Sequence, residues 1–84
     1  MSTAPVIFIV VVSDHHADDT LIPYFDRDKA LHRAADETKE MCSHYRTKAE
    51  VGLNDFMRQA GWQYYALCSE EGDSVRVEQH QVRE

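Results

Sequence analysis

The sequence predicts an α+β domain: a four-stranded, mostly antiparallel sheet in the order β-β-α-β-β, with a long or broken helix packed on one face. Three observations carry this expectation. Residues 6–12 form an apolar run, Val-Ile-Phe-Ile-Val-Val-Val. Apolar or neutral residues recur in steps of three and four from position 31 to position 60. The chain then closes with two strand-like segments around Glu70-Glu71-Gly72-Asp73.

The first strand is placed at residues 6–13. Both of its alternating faces are apolar, so it is expected at the centre of the sheet. A polar connection, Asp-His-His-Ala-Asp-Asp, fills residues 14–19. A second strand follows at 20–25. Pro23 cannot donate to a ladder, which puts this strand at an edge.

Asp26 and Asp28 offer helix N-caps, and Phe25 is placed to act as a hydrophobic staple. The stripe at 31, 35, 38, 42, 45, 49, 53, 56 and 60 reads as helix. One helix from 28 to 60 would be about 50 Å long. An eight-residue strand spans only about 26 Å. A break is therefore expected within Val51-Gly52-Leu53-Asn54-Asp55, with Asn54 or Asp55 capping a second short helix through Ala60. Gly61 supplies the stop. The closing hairpin has arms at 62–69 and 74–82, and Gly72 is free to take positive φ in the turn. Val75 and Val77 fall on one face of the last arm, and Arg76, Glu78 and His80 on the other.

The chain has 84 residues, so it is expected to be a single compact domain, 1–84, with one core and no second lobe to close over a substrate. A helix on one face leaves the other face of the sheet open. Tyr24, Trp62, Tyr64 and Tyr65 lie on the strands, and those that fall on the open face would mark an interface.

The formal net charge is −6, which argues against direct binding of nucleic acid or of an anionic membrane. The apolar run is too short to span a bilayer, and Met1 to Pro5 carries no basic side chain, so a soluble protein of the host cell cytoplasm is expected. Cys42 and Cys68 lack metal-ribbon spacing and read as buried thiols.

The charge is unevenly placed. Within 28–60, six acids (28, 36, 37, 40, 50, 55) are balanced by six bases (29, 33, 39, 46, 48, 58). The excess lies in the strands and turns, above all at Asp14, Asp18 and Asp19 and at Glu70, Glu71 and Asp73. Such clusters either keep turns solvated or imitate spaced phosphates for a basic partner. They share one end of the sheet only if the chain doubles back near 52–54.

Catalytic chemistry finds little support. Cys42 and His44 are two apart on a helix and do not face each other. The serines lack a nucleophile elbow, and the glycines form no phosphate loop. No catalytic residue and no cofactor is assigned. The segment Val10-Val11-Val12-Ser13-Asp14-His15-His16 resembles the metal-binding segment of the DHH-family phosphoesterases, where Asp-His-His follows a buried strand. That family adds further aspartate motifs on other strands of a much longer chain, and this sequence lacks them. A simpler metal site, using Asp14, His15, His16, Asp18 and Asp19, defines a small metal-dependent hydrolase as one alternative.

In profile the chain resembles small phage-encoded anti-CRISPR proteins: short, acidic, α/β and without catalytic apparatus. That resemblance implies a non-enzymatic inhibitor. Its acidic turns would occupy a basic nucleic-acid-binding surface of a CRISPR effector subunit by DNA mimicry. The residues expected to meet that partner are Asp14, Asp18, Asp19, Glu70, Glu71 and Asp73, with Tyr65 as an aromatic anchor. The protein would be a monomer or a homodimer. The other alternative is a homodimeric scaffold or regulatory domain pairing through the open sheet face.

Overall fold

The computed structural model describes residues 5–82; the flank from Met1 that carries no basic side chain lies, apart from Pro5, outside the described residues. The architecture is α+β. β1 (Val6–Ser13), β2 (Thr20–Tyr24), β3 (Glu50–Val51), β4 (Trp62–Leu67) and β5 (Ser74–Gln81) form one antiparallel sheet in the order β2-β1-β5-β4-β3. α1 (Arg27–Tyr45) packs on one face, and a short α2 (Asp55–Gln59) packs against β4. The sheet has five strands where the sequence predicts four. β3 is the addition, and two residues are too few to show an alternating pattern.

The position of β1 follows from its composition. It pairs with β2 on one side and β5 on the other, so both its edges are satisfied. β2 sits at the edge, as Pro23 requires. Val10, Val75, Val77 and Cys68 meet Ala30, Ala34 and Met41 of α1 in the core. The small Ala30 and Ala34, both fully buried, let the helix approach the sheet closely. Thr38 is the polar exception. Its hydroxyl donates to the Ala34 carbonyl at 2.7 Å and lies 2.9 Å from the Tyr64 hydroxyl, so its burial leaves no polar atom unpaired.

α1 starts at the Asp26 cap, whose side chain accepts from the backbone N–H groups of Asp28 and Lys29. Phe25 does not staple it and is 80% exposed. The staple position inside the helix is Ala30, which is too short to reach back and is buried under the sheet. The helix also ends earlier than the break expected at 51–55. Arg46 closes it in the left-handed conformation, φ 56°, and its N–H reaches the Cys42 and Ser43 carbonyls. Nineteen residues make a helix of about 28 Å, which matches the length of β1. Beyond α1 the stripe loses its common face: Ala49 packs against the core, whereas Phe56 is 74% exposed. The short second helix does form, with Asn54 capping Met57 N–H at 2.8 Å. Among the described residues no helix is long and apolar enough to cross a membrane.

Candidate functional site: an acidic end built around Asp73

The registers decide where the acidic connections lie. Ser13, the last residue of β1, pairs with Ser74, the first of β5. Ser74 also pairs with Leu67, the last residue of β4. The 14–19 and 68–73 connections therefore share one end of the sheet. α1 runs up to the same end and β3 turns back from it, so the chain reverses within residues 46–49, ahead of the expected 52–54, and the two clusters share one end.

Side chains tie the three connections together. The backbone N–H of His15 donates to Asp73 Oδ1 at 2.8 Å, and His15 Nδ1 lies 2.7 Å from the same oxygen. Ser69 donates its hydroxyl to Asp73 Oδ2. His15 Nε2 is 2.5 Å from Glu71 Oε2. The Tyr45 hydroxyl, at the end of α1, donates to Asp14 Oδ1 at 3.0 Å. Thr47 donates to the Cys68 carbonyl, which joins the segment after α1 to the hairpin turn. Gly72, at φ 96°, takes the conformation that the turn into Asp73 demands.

Asp73 is 0% exposed. Burial alone would raise its pKa. The hydrogen bonds from Ser69 and from the His15 backbone and ring, with the histidine charge, overcome that and hold it at about 2. His15 responds in the opposite sense. Its hydrogen bond to Asp73 raises its pKa against the cost of desolvation, and the charges of Asp73, Glu71 and Asp14 add to the rise. Asp14 is lowered, first by the His16 backbone N–H and also by the Tyr45 hydroxyl, against a partial desolvation. Tyr45 is pushed up to about 12 by burial and by its bond to Asp14.

The acids expected at the partner surface thus divide. Asp18, Asp19, Glu70 and Glu71 are exposed and Asp14 is half-buried, all at the one end. Asp73 is enclosed and its oxygens are already bound, so it organises the end and cannot meet a partner's cation. Tyr65 lies on the open face, two residues before the end of β4, stacked on Trp62 with ring centroids 5.6 Å apart. It is not joined to the acidic cluster. Trp62 shares its face, whereas Tyr24 and Tyr64 pack with the core beneath α1.

Asp14, His15 and Asp73 bring one potential ligand atom each within 4.8 Å of one another. The set differs from the one the sequence suggests, because Asp73 enters and His16, Asp18 and Asp19 do not. Its histidine is held between Asp73 and Glu71 by hydrogen bonds. The sequence reading missed His15 as the clasp between the two turns, and with it Ser69, Tyr45 and Thr47. Ser69 carried the only local signal: a serine four residues before an aspartate across a glycine turn.

Cys68 is buried, Cys42 is half-buried, and both are free thiols. Burial, together with the neighbouring Cys42, pushes the Cys68 thiol up to about 12, which makes it a poor nucleophile. Comparison of the chain with protein-family models, with curated proteins and with solved structures finds no match.

Proposed function

We propose that the protein is a non-enzymatic binding module, anti-CRISPR-like in its mode of action, whose acidic end occupies a basic nucleic-acid-binding surface of a CRISPR effector complex. One observation carries this reading: two acidic connections, separate in sequence, are drawn to one end of the sheet and clasped there through His15 and Asp73. Asp14, Asp18, Asp19, Glu70 and Glu71 then present negative charge from two loops on a rigid base. The C-terminus of α1 adds its own partial negative charge at the same end. A lysine- or arginine-lined channel that normally takes phosphates complements such a surface, and the pairing weakens with salt.

The test uses purified, guide-loaded effector complexes of several types and labelled target DNA. The protein is added before the DNA, and DNA binding is read at low and high salt. The expected result is loss of DNA binding by at least one effector at low salt, relieved as salt rises. If every effector binds DNA normally in the presence of excess protein, the reading fails.

A second reading, a homodimeric scaffold or regulatory domain, is favoured by the open face, where Ile7, Ile9, Leu21, Trp62 and Tyr65 lie on the side of the sheet away from α1.

A further inference from the structure

The open face is ordered in rows. β5 is the middle strand, and Arg76, Glu78 and His80 run along it. Registers align neighbouring strands with these residues. One row reads Leu21, Val11, Arg76, Tyr65. The adjacent row reads Pro23, Ile9, Glu78, Trp62. Both rows are apolar on the β2–β1 side, charged in the middle and aromatic on the β4 side. They differ in the sign of the central charge.

We infer that this face binds a second copy of the chain, sheet against sheet, about a two-fold axis that crosses the strands midway between these two rows. The axis lays each row over the other row of the second copy. Leu21 meets Pro23 of the second copy, Tyr65 meets Trp62, and Arg76 meets Glu78, each pairing occurring twice as an isologous interface requires, while Val11, 2% exposed, is already covered within its own chain. An axis running along the strands would instead set Arg76 against Arg76 and Glu78 against Glu78. Charge therefore selects the crossing axis.

Three further features fit this occupant. Within one chain Arg76 Nε already lies 2.6 Å from Glu78 Oε2, and its guanidinium sits 5.0 Å from the Trp62 ring centroid. In the pair these groups would close a four-membered charge network, so no charge is buried without a partner. The crossing axis also sends the two acidic ends to opposite extremes of the pair, which separates the charge of two chains at −6 each. Finally, the area fits a reversible pairing. The 27 residues of the four strands, at about 4.8 Å spacing and about 3.4 Å rise, give a footprint of roughly 450 Å² per copy, or about 900 Å² in all, the size of a weak, transient interface. Leu21, 62% exposed in the single chain, gains cover in this arrangement.

The inference is independent of the acidic-end reading and is tested without any partner. Sedimentation velocity of the purified chain over a wide concentration range should show a monomer–dimer equilibrium. Arg76→Glu and Glu78→Arg should each weaken the dimer by at least roughly tenfold, and the double exchange R76E/E78R should restore it. Leu21→Lys alters an exposed side chain, so its monomer folds regardless, and it too should weaken the dimer by roughly tenfold or more. Circular dichroism melts separate dissociation from unfolding. A wild-type chain that stays monomeric throughout overturns the inference. So does a dimer whose dissociation constant Leu21→Lys leaves unchanged.

Discussion

The acidic end and the open face handle charge in opposite ways. At the end, acids gather from two loops around one histidine, His15, which pairs with the buried Asp73 and with Glu71, while Asp18, Asp19 and Glu70 stay exposed. On the open face, opposite charges alternate along one strand and pair with each other, Arg76 with Glu78 and Glu78 with His80. A surface of one sign repels its own copy and calls for a foreign cation. A surface of alternating sign is complementary to itself. On the two proposals, the same sheet would offer one region to another protein and one to a second copy.

The contrast breaks most sharply at Asp73. Asp73→Ala removes the acceptor of the His15 and Ser69 donors and leaves the histidine among Asp14 and Glu71 without its buried partner. It should lower unfolding stability by about 3 kcal/mol, the usual range for losing one member of a buried pair. Urea unfolding measures this, and a loss under about 0.5 kcal/mol, the scatter of ordinary surface changes, would show that the clasp does not hold the end. No single change among the exposed acids should approach the larger figure.

A pH series sharpens the same point with a smaller effect. His15 has a raised pKa in the fold, so its contribution is complete below about pH 6.5, the ordinary histidine value, and is lost as pH rises through the raised value. Asp73 is held at about 2, so its contribution is complete above the ordinary carboxylate range and is lost as pH falls toward 2. The melting temperature should be highest between these limits and decline on both sides. His15→Gln should flatten the alkaline decline. An alkaline limb that is identical in His15→Gln would remove His15 from the account.

The smallest effect is expected at the helix cap that delivers Tyr45 and Thr47 to the acidic end. Arg46 holds a left-handed conformation at φ 56°, where a side chain is strained. Arg46→Gly should therefore stabilise the fold by about 0.5–1 kcal/mol in the same urea titration. A destabilisation would mean that the arginine side chain, rather than the cap geometry, matters there.

Much of this was legible in the sequence, for physical reasons that also explain the rest. β1 and β2 were readable because an apolar β-branched run and an in-strand proline each have few structural solutions. The 75/77 and 76/78/80 alternation was readable because the strand period is two. β3 was hidden because Ala49, Leu53 and Phe56 continue a helical spacing that the tertiary structure does not use. Thr47, bonded to the Cys68 carbonyl, commits that segment to the sheet edge instead. Of the acids, the sequence located all six but could not separate Asp73 from its neighbours. Its burial depends on His15, 58 positions away, and such a pairing leaves no local trace.

The central claim is that the exposed acids of the shared end form one binding surface. The most direct measurement is DNA binding by an inhibited effector in the presence of the wild-type protein, Asp18→Lys/Asp19→Lys or Glu70→Lys/Glu71→Lys. The account predicts that each double reversal abolishes inhibition while the melting curve stays cooperative, because both loops contribute to one surface. If both double reversals inhibit as the wild type does, the acidic end is a solvated edge and not a binding surface.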